Sequence, residues 1–511
     1  MHGQRGFPLD DAWIHLVYGR SVAQNGYLAY NTGIPSTGST APLWAYVLGI
    51  VHAVFRRSDH IIWGVKILGA VFHGVMAFLS FHLVLTVTSL RWPSFLAGIF
   101  IGSCPSLAAA SLSGMEISLG CVLCLAGIFS FIKERWWLSG LFLGLAGLTR
   151  PEFGAVIFVL IADALIRTKK ERVFSVSFVR FAWPVVLLAG LYFGWNLAVD
   201  GRPFPATFYV KAMPMAGMDL VQRVAVGLGV VTGSPPLHGI IIAVGLTGFF
   251  LIRGATRRHG LILLLSGVFY LTGNLAVIPP FDPDAFYHIR YLLPAVPLLF
   301  AGIAAGTASG ANVLFEIISK KKQRTTVALK TFFLSAIGLI VILLGVWTVS
   351  GLNFWKTKYS RDCRNINDVQ VELGKAIARR LSPDARVGTI DAGAIRYFGG
   401  RFTVDLMGLN SPDLGVPNCD NQSLDVLVLM PAWIRLPSEA NLVPVLVRQT
   451  ADYRVTSNPR MNLQLIAVCH SDSLPKNQTV RINILGKTKD VCLRCLSSAQ
   501  VDQLRISLAS Q

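Results

Sequence analysis

The sequence predicts a polytopic α-helical membrane protein carrying a small mixed α/β domain at its C-terminal end, on three observations. Hydrophobic residues make up 53% of the 511 positions and charged residues only 14%, more apolar surface than a soluble fold hides but a proportion that a bilayer solvates. Apolar runs of roughly 15–25 residues recur, the length of a helix that crosses a ~30 Å hydrocarbon layer. Basic clusters punctuate those runs on alternate loops, as topology determinants do.

Apolar segments at 61–88, 94–110, 116–132, 138–150, 152–166, 178–199, 238–252, 261–278, 287–307 and 328–352 read as ten membrane helices within a transmembrane domain over 61–352. The pair around 138–166 is short, with Arg150, Pro151 and Glu152 at its joint, and reads as two short helices meeting near one face. The stretch 41–55 is too short for a comfortable span and reads as a juxtamembrane helix, within an acidic loop region covering 1–60. Beyond 361 the pattern changes. DVQVELGKAIARRL has the periodicity of an amphipathic helix, and RVGTI, FTVDL, LDVLVLM and LVPVLV have that of strands, so 361–511 is expected to form the α/β domain.

Parity orients the chain. With SLRW, KERWW, RTKKER, RGATRR and SKKKQR on one side, the alternate loops fall on the other without a violation. The basic face is then cytoplasmic, and Asp10, Asp11, Glu116, Glu152, Asp282 and Asp284 gather outside, with the domain after 352. The expected location is the cytoplasmic (inner) membrane, with the functional face and the α/β domain outside. The segment MHGQRGFP ahead of the acids has no apolar h-region. A further apolar helix is therefore expected upstream of Met1.

The net charge of +19 follows from these loops and from contact with anionic lipid. It gives no reason to expect nucleic acid, because no basic stripe is interleaved with aromatics on a polar scaffold. Of the eight cysteines, Cys104, Cys121 and Cys124 lie in apolar runs. Cys363, Cys419, Cys469, Cys492 and Cys495 lie in the polar part, where disulfides are expected with a connectivity that spacing does not settle. GxxxxGK[ST], HExxH and GxSxG are all absent, so the usual parts of ATP-driven transport, zincin proteolysis and hydrolase-elbow chemistry are missing.

The strongest local signal is FPLDDAWIHLVYGR, residues 7–20, in which two adjacent carboxylates precede a helical pattern. One Asp is explained as an N-cap; the second is not. Asp11 and His15 stand four apart on one helix face, the spacing of a hydrogen bond or of half a metal site. A divalent metal is the one cofactor this pattern leaves open.

This stretch, continued to Trp44, resembles the first external loop of GT-C fold glycosyltransferases, and within them the bacterial branch of terminal arabinofuranosyltransferases. SGMEISL (113–119), GLTRPEFG (147–154), PFPATFYVKA (203–212), RYLLPAVPLL (290–299) and VGTIDAGAIRYFGGRFTVDLMGLNS (387–411) are similar to the same family, in order. The resemblance implies a GT-C-like helical bundle and transfer of a sugar from a polyprenyl-phosphate donor to an envelope glycan, lipid or protein acceptor, usually with inversion. It also implies that a family helix preceding the acidic loop is missing here.

Asp10 matches the family's loop acid, which implies a general base, and Asp11 its acidic neighbour, placed to bind sugar hydroxyls, orient the base or hold a metal. Arg290, at the outer end of a helix, and Arg150, at the short-helix joint, are candidates to clamp the donor phosphate. Lys211 and His288 are weaker candidates of the same kind, and Glu116 and His15 complete the set. The bland readings are an N-cap for Asp10 and Glu116, and snorkelling or ion pairing for the arginines, for instance Arg150 with Glu152. Asp391 and Asp405 read as turn or cap residues. The alternative function is a non-catalytic lipid or glycan transporter or scramblase, or, within the enzyme class, a glycan ligase. A transporter is expected to place polar residues through the bilayer midplane, whereas here the acids lie at the outer ends of helices.

Overall fold

The computed structural model describes residues 5–171, 175–211, 254–277, 289–319, 323–410, 423–431, 434–435, 441–449, 463–472, 477–484 and 487–509. The chain opens with helix α1 (Asp10–Asn25), a short hairpin of β1 (Ala29–Asn31) and β2 (Ile34–Pro35), and α2 (Pro42–Val54). The helical body follows as α3 (Ser58–Thr88), α4 (Arg91–Ser103), α5 (Pro105–Ser111), α6 (Ile117–Ile132), α7 (Trp136–Thr149), α8 (Gly154–Glu171), α9 (Ser175–Asp200), α10 (Ala206–Lys211), α11 (Gly254–Val277), α12 (Ala295–Ser319) and α13 (Gln323–Ile366). Nine of the ten expected membrane segments coincide with these helices, the second as the bent pair α4–α5. The segment 238–252 lies outside the described residues.

Among the described residues, two helices are long and apolar enough to cross a membrane, α3 and most of α9, or three if α4 and α5, bent by 54°, form one span. The outward face of α3 carries Trp63, Ile67, Val71 and Phe78, all exposed. That spacing makes a single helical stripe, and water has no use for it where lipid does. Helices approach closely where a side chain is missing. A Cβ on Gly69 of α3 would stand 1.8 Å from the carbonyl oxygen of Ser111, and one on Gly140 of α7 would stand 2.0 Å from that of Phe181 in α9. Small residues at such crossings let backbones touch and so supply the van der Waals contact that holds helices together in lipid.

Helix α13 has 44 residues, about 66 Å at 1.5 Å per residue, twice what a bilayer requires. Its far end runs through a π-helical turn (Asn367–Val371) into α14 (Glu372–Arg380), so the chain enters the C-terminal domain without a linker. The strands β3 (Arg386–Thr389), β4 (Phe402–Asp405), β5 (Val426–Leu429), β6 (Ile434–Arg435), β7 (Leu442–Gln449), β8 (Leu463–His470), β9 (Asn477–Ile484) and β10 (Lys487–Leu496) form a mixed sheet. Its order is β4-β3-β5-β8-β10-β9-β6, with β7 on β8. Helix α15 (Ala394–Gly399) crosses from β3 to the parallel β4, and α16 (Ser498–Ala509) closes the chain.

Strand β5 is buried along its whole length. Val426 and Val428 pack in one cluster and Leu427 and Leu429 in the other, the two faces that alternation produces. A disulfide joins Cys469 to Cys495, which face each other across β8 and β10, while Cys104, Cys121, Cys124 and Cys363 are buried free thiols.

Helix α1 ties the two parts together. Phe7, Trp13, Leu16, Ile117, Phe153 and Leu292 share one apolar cluster with Ala394 and Tyr397 of the C-terminal domain. Trp13 meets Phe398 edge-on at 4.8 Å. Asn31 exchanges two hydrogen bonds with the backbone of Thr403.

Candidate active site

Helix α1 begins at Asp10, with Leu9 in the cap position and no side-chain cap. The N-cap reading of Asp10 is thus corrected. Its carboxylate turns away from its own helix and accepts hydrogen bonds from the backbone N–H groups of Gly393 and Ala394, both at 2.7 Å. The approach is possible because residue 393 has no side chain: a Cβ there would lie 2.1 Å from the Asp10 carbonyl oxygen and 2.7 Å from its Oδ2. Asp391, just upstream, accepts from Nε2 of Gln370 at 2.9 Å and from the Gln464 side chain. Burial first, and then the charge of Asp391, push the Asp10 carboxyl well above its usual range, against the lowering effect of the Ala394 and Gly393 donors. Each carboxylate oxygen has a second lone pair, so the two backbone bonds leave Asp10 able to accept from a hydroxyl.

On the other side of α1 five of the nominated residues meet in one ring. Asp11 pairs with Arg290, which is 2% exposed, and the same Arg290 nitrogen reaches the Tyr291 hydroxyl at 3.0 Å. The Tyr291 ring lies between two guanidinium groups, Arg290 at 4.9 Å and Arg150 at 4.8 Å from its centroid. Arg150 donates to Glu116 at 2.8 Å and to Glu152 at 3.1 Å. Glu116 in turn stands 3.2 Å from Nε2 of His15, one turn along α1 from Asp11, which closes the ring. The Glu116 side chain makes no cap hydrogen bond to α6; its carboxylate serves the ring instead.

Two guanidinium groups share one aromatic ring because its quadrupole attracts both, and the carboxylates offset their repulsion. The pairing of Arg150 with Glu152 expected from sequence is present, with Glu116 as a second partner, so that cation is neutralised twice over. Arg290 pairs with Asp11, whose side chain is 31% exposed.

Lys211 ends α10. Its side chain, and His288 as a whole, lie outside the described residues, as do Asp282 and Asp284. Asp405 is a turn residue: it accepts from the backbone of Met407 and Asn410 and from the Asn410 amide. Among the described residues no group of three His, Cys, Asp or Glu side chains stands close enough to hold a metal ion. Sequence reasoning missed Tyr291, Gly393 and the approach of Asp391 to Asp10. Only the adjacency of Arg290 and Tyr291 offered a sign of the first, and nothing local offered a sign of the other two.

Residues 364–481 match a family described as Domain of unknown function (DUF8728). No curated protein sequence matches the chain. Among solved structures, ArnT from Cupriavidus metallidurans in the apo state is similar over 91% of this chain and 94% of its own, with a TM-score of 0.54 and 14% identity. The same protein bound to undecaprenyl phosphate is similar over the same shares, with a TM-score of 0.52 and 12% identity. The chain has the GT-C fold. Coverage of 91% of the chain takes in most of both the helical body and the C-terminal domain.

Proposed function

We propose that the chain is a membrane glycosyltransferase that moves a sugar from a polyprenyl-phosphate donor to an envelope glycan, lipid or protein acceptor on the outer face of the cytoplasmic membrane, with inversion. The observation that carries this reading is the placement of Asp10 and Asp11. They stand side by side at the joint of the helical body and the C-terminal domain, one a carboxylate of raised pKa and the other paired with a buried arginine. The solved neighbour that holds undecaprenyl phosphate supports a lipid-phosphate carrier. The fragments resembling arabinofuranosyltransferases make an arabinofuranosyl donor the first to assay.

In this mechanism Asp10 accepts the proton of the acceptor hydroxyl as its oxygen attacks the anomeric carbon. A hydroxyl is too weak an acid to ionise unaided, and a base of raised pKa takes its proton more readily. The new C–O bond forms as the bond from carbon to phosphate oxygen breaks, and the pair of electrons leaves on polyprenyl phosphate. That leaving group is already a stable anion, so it needs a cation and not a proton donor. Arg290 supplies the charge and the planar donor fork. Asp11 holds Arg290 in position before the donor arrives. Arg150, with Glu116 and His15, holds Tyr291 and through it the Arg290 guanidinium.

Membranes containing the full chain, incubated with a panel of radiolabelled polyprenyl-phosphate sugars, test the reading. Label appearing in a glycan, lipid or protein fraction supports a transferase. Label that crosses the bilayer while still attached to its carrier supports a transporter instead.

A further inference from the structure

We propose that the cleft between the second half of α1, the β1–β2 hairpin and α15 is an oxyanion subsite that grips a phosphate or carboxylate carried by the acceptor. Its floor holds two arginines, Arg20 and Arg396, within a cavity of about 190 Å³. Among the described residues neither of them forms an ion pair. Arg20 donates one N–H to the Tyr397 carbonyl at 2.9 Å and stacks on that ring at 4.7 Å. Arg396, 6% exposed, donates Nε–H to the Tyr30 carbonyl at 3.1 Å.

Each guanidinium has five N–H donors. The rest make no hydrogen bond to the described protein groups, and both side chains line the cleft. Ser21, Gln24, Asn25 and Thr32 add polar groups around its mouth and no carboxylate. Burial first, opposed by Tyr30 and joined by the nearby Arg20 charge, pulls the Arg396 guanidinium down to about 10, still charged at neutral pH.

Two like charges held together without a counterion are costly, and an oxyanion that accepts from both removes the cost. The place of the cleft gives the acceptor its geometry. Arg20 lies ten residues along α1 from Asp10, about 15 Å at 1.5 Å per residue. Arg396 is three residues from Gly393, whose backbone holds the Asp10 carboxylate. An anion bound there would position an acceptor hydroxyl one or two sugar units away at the base. This inference rests on the transferase reading for its acceptor, though not for the anion site itself.

The test uses the full chain in neutral detergent, saturated first with polyprenyl phosphate so that the donor site is occupied. Binding of inorganic phosphate is then followed by thermal shift in the parent, Arg20→Gln and Arg396→Gln. The expected result is phosphate binding in the parent, weakened at least tenfold in both variants, with unchanged affinity for polyprenyl phosphate. Arg20→Gln, at the less buried of the two positions, decides alone if Arg396→Gln does not fold. Phosphate affinity equal in parent and variants overturns the proposal. Nanodiscs distinguish the sources: if phosphatidylglycerol, but not phosphatidylcholine, abolishes phosphate binding, the occupant is a lipid headgroup and the acceptor assignment falls. If the variants lose phosphate while the parent transfers no sugar, the anion site stands and the transferase reading fails on its own.

Discussion

The carboxylate of Asp10 accepts from the backbone N–H groups of Gly393 and Ala394, residues 383 and 384 positions away, each at 2.7 Å. This pair of bonds joins the first helix to the C-terminal domain and sets the orientation of the proposed base. Gly393→Ala leaves every carboxylate in place but drives a Cβ into the Asp10 carbonyl oxygen. The expected outcome is a fall in kcat of at least about 100-fold, the lower end of what general-base catalysis contributes, while the affinity for polyprenyl phosphate holds. Transfer at the parental rate would show that the bonds to residue 393 do not position the base.

The pH profile carries the sign of the Asp10 environment. Burial and, after it, Asp391 raise the carboxyl above its usual range. The folded chain therefore keeps this proton to a higher pH than the unfolded chain does. Between the two values the folded state binds more protons, so this group's contribution to stability falls as pH rises through that window and levels above it. Activity runs the other way, rising as Asp10 ionises. Asp391→Asn removes the second cause and is expected to move the acidic limb of the kcat/KM profile toward lower pH. A limb that stays in place removes Asp10 as the titrating group.

Glu116 and Glu152 both touch Arg150, yet they differ in surroundings, with side chains 6% and 29% exposed. Removing one partner of a buried pair strands the other charge, at a cost of about 3–5 kcal/mol. Pairs near the surface contribute about 1 kcal/mol or less. Glu116→Ala removes the more buried partner but leaves Glu152 on Arg150, so it is expected to cost less than a stranded charge, about 2 kcal/mol, and Glu152→Ala about 1 kcal/mol or less, read as thermal or denaturant unfolding in detergent. Equal losses would contradict the ring as drawn.

Arg290→Ala and Arg150→Ala separate holding from clamping. Arg290→Ala is expected to weaken donor binding at least tenfold, since a charge-assisted bond is about twice as strong as a neutral one. Arg290→Lys restores charge without the planar fork and is expected to recover only part of it. Arg150→Ala is expected to act mainly through stability and the placement of Tyr291. Parental donor KM and kcat in both alanine variants would leave the two arginines as structural ions only.

The helical body was legible because lipid imposes a simple demand: long apolar runs such as 61–88 and 178–199, which the structure realises as α3 and α9. The sheet was legible where both faces are buried, as at VLVL of β5. The ring was half legible. The four-residue spacing of Asp11 and His15 placed them on one face, and Arg150 stood beside Glu152, but Tyr291 joins the arginines through space that no spacing records. The partners of Asp10 were illegible for a physical reason. Backbone N–H groups carry no residue signature, and Gly393 reads as a glycine among several in IDAGAIRYFGG.

The most direct test of the central claim is the turnover of Asp10→Asn against the parent, in proteoliposomes with a labelled polyprenyl-phosphate sugar and an envelope acceptor. The amide keeps the size of the side chain and one acceptor oxygen, but cannot take the proton of a hydroxyl. The predicted result is loss of at least about 100-fold in kcat, with folding and donor binding close to the parent. Transfer within about threefold of the parent, under about 1 kcal/mol of barrier, would leave Asp10 as a structural joint and contradict the account.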